Sequence, residues 1–117
     1  MTNIIITDKN PGIRILISRE ISDLDVNTVI AESISAVLEI DQKNTKTVII
    51  LDPEILQGKH LIFTNKILGN FPKSVILIHG YFEWAEIFLE NKKIFFIEKN
   101  AESIKYVKSF ITSHLKL

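Results

Sequence analysis

The sequence predicts one α/β domain, a five-stranded parallel sheet doubly wound with helices on both faces. Three observations predict it. Five short apolar runs recur along the 117 residues. The stretches between them change to a helical period. Four of the runs are nearly continuous Val, Ile, Leu or Phe, the composition of strands covered on both faces. Strand alternating with helix five times means parallel strands joined by right-handed crossovers.

The elements follow in order. The first strand is NIIIT at 3–7. Asn10–Pro11 then supplies the cap and first turn of a helix whose Ile13, Leu16, Ile17 and Ile21 share one face. VNTVIA at 26–31 is the second strand, and its Asn27 and Thr28 suit a sheet edge. Ile34, Val37 and Leu38 mark the second helix. TVIIL at 47–51 is the third strand, and it runs straight into Asp52 and Pro53. Gly69 and Pro72 end the third helix, and SVILI at 74–78 is the fourth strand. GYFEWAEIFLE at 80–90 holds the fourth helix, KIFFI at 93–97 the fifth strand, and Ile104, Val107, Ile111 and Leu115 line the fifth helix. No linker, repeat or low-complexity segment interrupts, so residues 1–117 form one domain, which also reads as a domain cut from a longer protein.

Composition narrows the function. Fourteen basic and fourteen acidic residues cancel, which argues against a nucleic-acid binder that tracks phosphates with a basic surplus. Without cysteine there is no disulfide, thiolate metal site or thiol nucleophile. The apolar runs are far too short to span a membrane, and Asp8 and Lys9 interrupt the first one before it could form a signal peptide. A cytoplasmic protein is expected. Neither GxGxxG nor GxxxxGK[ST] occurs, and no Ser/His/Asp or Cys/His arrangement stands in matching positions, so an enzyme is not expected.

In a doubly wound sheet the chemistry lies beyond the carboxyl ends of the strands, where strand order reverses. Those ends carry Asp8 and Lys9, Glu32 and Ser33, Asp52 and Glu54, His79, and Glu98 and Lys99. Order 2-1-3-4-5 would make strands one and three neighbours, set Asp8 against Asp52 and bring in Lys99 from strand five. By itself, Asp52 before Pro53 reads either as a cap or as a carboxylate held at a working position.

That constellation resembles the receiver domain of two-component response regulators over the whole chain. IIITDKNPGIR stands where the family has a strand and an acidic pair, VIILDPEIL where it has its phosphoacceptor strand, SVILIHG at the fourth strand and FFIEKN at the fifth. The resemblance implies a flavodoxin-like (βα)5 fold. It places Asp52 at the phosphoacceptor, Asp8 at the first acid, Lys99 on the family lysine, Phe96 on the aromatic switch position, and His79 where a Thr or Ser belongs.

The departures imply a degenerate, pseudo-receiver variant. Lys9 replaces the second acid and puts an ammonium where a Mg²⁺ ligand should be, so only weak magnesium binding at Asp8, Asp52 and Glu54 stays open. Asn100 replaces the usual proline, and its peptide is expected to be trans, since cis costs roughly 3–4 kcal/mol without proline. The expected pocket has Asp52 held by Lys9, Lys99 or both, with no metal or cofactor. The implied function is a protein-interaction and regulatory module with impaired aspartyl phosphorylation. The alternative is a working phosphoacceptor, charged on Asp52 by a histidine kinase in the presence of Mg²⁺.

The implied partner is a protein, a histidine kinase or an effector domain. The face of helix four, strand five and helix five is the expected surface, with a homodimer as one form. Tyr81 and Trp84 supply aromatic anchors, and Lys105 and Lys108 stand opposite Glu83, Glu86 and Glu90. Core packing explains part of that aromatic run equally well. His60, His79 and His114 lack metal-ligand spacing, and His114 reads as plain surface.

Overall fold

The computed structural model describes residues 2–41, 43–81 and 91–116. Its strands are β1 (Asn3–Ile6), β2 (Asn27–Ile30), β3 (Thr47–Leu51), β4 (Ser74–Gly80) and β5 (Ile94–Glu98), and its helices are α1 (Pro11–Glu20), α2 (Ile34–Leu38), α3 (His60–Asn70) and α4 (Ser103–Leu115). A 3₁₀ turn, Pro53–Leu56, follows β3. The predicted fourth helix falls on residues outside those described, and α4 is the predicted fifth. All strand pairs are parallel, in the order β2-β1-β3-β4-β5. The expected strand order therefore holds.

Strand alternation sorts the core into two layers. Ile5, Ile49, Leu51, Ile76 and Ile78 point to one face, where Ile34 and Val37 of α2 and Ile67 of α3 cover them. Ile4, Ile6, Val48, Ile50 and Leu77 point to the other, beneath Ile17 of α1, Ile21 just after it, and Val107 and Ile111 of α4. Each fully buried aliphatic side chain stabilises the fold by about 1.5–3 kcal/mol.

Local signals set the helix starts. Asn10 caps α1 by accepting the Gly12 amide at 2.9 Å, and Pro11 opens the first turn. Ser33 caps α2 by accepting the Ala36 amide at 3.1 Å. Gly58, at φ 76°, turns the chain from the 3₁₀ segment into α3, a backbone state that favours glycine.

Three details differ from expectation. Leu16 is exposed, because Ile13, Ile17 and Ile21 already fill the stripe of α1 that meets the sheet. β5 is an edge strand like β2, and Phe95 is partly exposed rather than covered on both faces. β4 runs two residues further than its apolar run, so His79 sits inside the strand opposite Ile97.

Candidate functional site

The site forms where β1 and β3 end side by side. Ile6 pairs with Ile50, and two residues beyond them Asp8 and Asp52 stand just past the ends of these neighbouring strands. Both are 1% exposed. Ordinary cap geometry holds half of their oxygens. Asp8 Oδ1 accepts the Asn10 amide at 2.9 Å, and Asp52 Oδ1 accepts the Glu54 amide at 3.0 Å as the cap of the 3₁₀ turn. The other two oxygens take partners from distant parts of the chain. Lys99 Nζ donates to Asp8 Oδ2 at 2.8 Å and lies 3.8 Å from Asp52 Oδ2. Asp52 Oδ2 also accepts the backbone N–H of Lys9 at 3.2 Å. Asp52 is thus both a cap and a member of a buried charge cluster.

Lys9 does not serve as the expected pocket cation. The backbone path that aims its N–H at Asp52 carries the side chain outward. Its ammonium pairs with Glu54 at 3.1 Å, and the side chain is 65% exposed. The hydrogen bond and charge of Glu54 hold the Lys9 ammonium above its ordinary pKa. The two pocket carboxylates therefore share the Lys99 ammonium, and the Arg14 guanidinium donates to the Asp8 carbonyl oxygen beside them at 2.6 Å. Tyr81 lies over that ammonium, with its ring centre 5.8 Å from Nζ, within cation–π range.

The acid oxygens that share Lys99 come from two side chains, Asp8 and Asp52. Magnesium demands near-octahedral oxygen coordination. All four oxygens of Asp8 and Asp52 already accept protein N–H groups, and Glu54 is drawn to Lys9. Among the described residues no three carboxylate or imidazole groups converge to hold a metal.

His79 is 1% exposed, and its Nε2 lies 2.7 Å from Ser103 Oγ. Ser103 begins α4. Its hydroxyl also donates to the Asn100 carbonyl at 2.8 Å and accepts the Asn100 amide at 3.2 Å. The end of β4 is thereby tied to the loop that carries Lys99. Nδ1 of His79 is buried without a hydrogen-bond partner. Burial first, then the Lys99 charge, push the ring pKa down to about 4, against the smaller opposing pull of Asp52. Sequence reasoning missed Ser103. The only signal is an Asn100-to-Ser103 spacing suited to a turn at a helix start. No described peptide is cis, as expected of the Lys99–Asn100 bond.

Phe96 is half-buried against the α2/α3 layer. Of the expected partner surface, Tyr81 and Lys105 are exposed, whereas Trp84 and the three glutamates lie outside the described residues. Lys108 is not on that face. It pairs with Asp23, after α1, at 2.9 Å, because α4 packs along α1 on that side. That hydrogen bond holds the Asp23 carboxyl below its usual value. The described part of the β5 side instead exposes Phe95 and Tyr106. Nor is His114 plain surface: it stacks on Phe110 at 5.4 Å and meets Phe95 edge-on at 5.8 Å.

No protein-family model matches the sequence, and no curated protein matches it. Solved structures do. One belongs to a family of redox sensors in the streptococci evolved from two-component response regulators. It is 19% identical with a TM-score of 0.74; the match covers 99% of this chain and 52% of that one, so this chain spans about half its length. The inactive regulatory domain of the repressor of iron transport regulator is 18% identical (TM-score 0.70), with 97% of this chain and 94% of that chain covered. The N-terminal receiver domain of a response regulator from Bacteroides fragilis is 16% identical (TM-score 0.72), with coverage of 97% and 96%. At these identities the likeness is one of architecture, and sheet order, crossovers and chain length agree with it: the chain has the fold of the receiver domains of two-component response regulators.

Proposed function

We propose that the chain is an atypical receiver, a regulatory module that binds a protein partner and does not depend on Mg²⁺-assisted phosphorylation of Asp52. The observation that carries this reading is the self-satisfied acid pair. Asp8 and Asp52 are buried, every carboxylate oxygen accepts a protein N–H, and Lys99 reaches both. Attaching a phosphoryl group to Asp52 requires a counter-charge for the incoming oxygens. Here the position of a second acid is held by Lys9, and Glu54 is engaged with it. The partner is a protein such as an effector domain or a kinase, met through the β5–α4 side where Tyr81, Phe95, Lys105 and Tyr106 are exposed. A homodimer through that face is one form of the same reading. A thiol-based redox role has no cysteine to work with.

The test is incubation with acetyl phosphate and Mg²⁺ followed by intact mass. No stable phosphoryl adduct is expected. A stoichiometric adduct on Asp52 would support the second reading, a working phosphoacceptor fed by a histidine kinase. One observation favours that second reading: the Lys9 ammonium turns out to Glu54 and leaves the space between the aspartates to Lys99 alone.

A further inference from the structure

The amino ends of the strands form a second rim, at the far end of the sheet from the acid pair, and its charges are sorted. Lys46 precedes β3, Lys73 precedes β4, and Lys92 and Lys93 precede β5. Register sets Lys46 beside Lys73, since Thr47 pairs with Ser74. Backbone bonds hold them there: the Asn3 amide donates to the Lys46 carbonyl, that of Thr47 to Lys73 and that of Ile76 to Lys93. The Lys93 ammonium donates to the Pro72 carbonyl at 3.1 Å, which draws it across to the start of β4. Lys46, Lys73 and Lys92 are exposed and have no acidic partner among the described residues.

The other end of this rim is acidic. Asp23 and Asp25 lie between α1 and β2, and Glu39 and Asp41 follow α2, which crosses from β2 to β3 over β1. Glu39 is the closing cap of that helix. These acids stand at helix carboxyl ends, where backbone carbonyls already carry negative charge and favour cations. Asp23 finds Lys108. Asp25, Glu39 and Asp41 have no ion pair among the described residues, and Arg19 and Lys43 offset them only in part. A local rule broken without compensation inside the fold points to a use outside it. Three strand spacings, roughly 14 Å, separate Asp25 before β2 from Lys73 before β4. That exceeds the Debye length of about 8 Å in physiological salt, so neither patch neutralises the other within one chain.

We propose that this rim is a self-complementary surface through which two copies of the chain associate, each basic half on the other's acidic half. A two-fold axis lying between the rims, across the acid-to-base direction, makes both contacts at once. A membrane or a nucleic acid presents negative charge throughout and would meet the acidic half as well; a second copy satisfies both halves. Fourteen basic against fourteen acidic residues leave no net repulsion between copies. The rim offers charge rather than large exposed apolar side chains, so the association is salt-sensitive and transient. It stands whether or not Asp52 is phosphorylated.

Sedimentation tests it. At chain concentrations up to millimolar, the unaltered chain should form dimers in about 0.01 M salt and lose them by about 1 M, as the Debye length falls from roughly 30 Å to roughly 3 Å. Lys46→Glu with Lys73→Glu, and separately Asp25→Lys with Asp41→Lys, should each be monomeric alone. An equal mixture of the two should recover a one-to-one dimer. Lys59→Glu with Lys66→Glu changes the net charge as much as the first pair, but on α3, and should weaken the dimer far less. All six positions are exposed, and each variant is checked for a cooperative thermal transition. An unaltered chain that stays monomeric in all conditions overturns the proposal, as does an α3 control that loses the dimer as fully as the rim variants. So does a dimer that survives both reversals and falls apart with Tyr106→Ala, which belongs to the β5–α4 side.

Discussion

At the scale of single residues, the site is a problem of buried charge solved with short bonds. Two carboxylates at 1% exposure share the Lys99 ammonium, and removing a partner from such a cluster leaves an uncompensated buried charge. The backbone amides of Lys9, Asn10 and Glu54 spread the load. His79 carries the clearest pH signature. Its imidazole takes a proton near 6.5 when unfolded and only near 4 when folded. Between those values the unfolded chain holds more protons, so stability falls as pH falls from about 6.5 towards 4, by as much as about 3 kcal/mol. Above that window His79 adds no slope. Urea titrations across this range should show a shallower loss for His79→Gln, which keeps a donor without a titrating ring. Equal slopes would mean that the ring is not held neutral. The comparison with the variant matters because burial also lowers the pKa values of His60 and His114.

At the scale of elements, α4 does two jobs. Its Val107 and Ile111 seal the layer it shares with α1, and its first residue, Ser103, anchors the Lys99 loop to β4. Ile111→Ala should cost about 2–5 kcal/mol by chemical denaturation, whereas exposed Tyr106→Ala should change stability by less than about 0.5 kcal/mol and weaken partner binding instead. A large stability loss at Tyr106 would show it to be structural. The strands and helices are legible in sequence wherever the period is clear: TVIIL is β3 to the residue, and the Asn27–Thr28 pair in β2 marks an edge. What escapes is set by tertiary placement. Leu16 fits the stripe of α1 by spacing, yet the sheet has room for only one row. Lys108 suits the β5 side by charge, yet it is rotated towards Asp23. The direction of the Lys9 side chain depends on where its own amide points, and the Ser103 contact joins residues 24 positions apart.

At the scale of the whole molecule, the two-layer core and the strand order place Asp8, Asp52, His79 and Lys99 at one end of the sheet. That much of the site follows from reading what each strand runs into. A module that presents a fixed surface should look the same with and without a phosphoryl mimic. Amide spectra recorded with Mg²⁺ and beryllofluoride should superpose on those of the unliganded chain. Shifts running from the acid pair through Phe96 to the β5 edge would instead reveal a switching protein.

The bond from Lys99 to Asp8 spans 91 positions. During synthesis the first, third and fourth strands emerge long before this lysine does. Asp8 and Asp52 cannot be sealed from water at the sheet end until their counter-ion arrives from beyond the fifth strand. Closure of that end therefore waits for the fifth strand, and a nascent chain stopped short of it keeps its acids hydrated and that end of the sheet open.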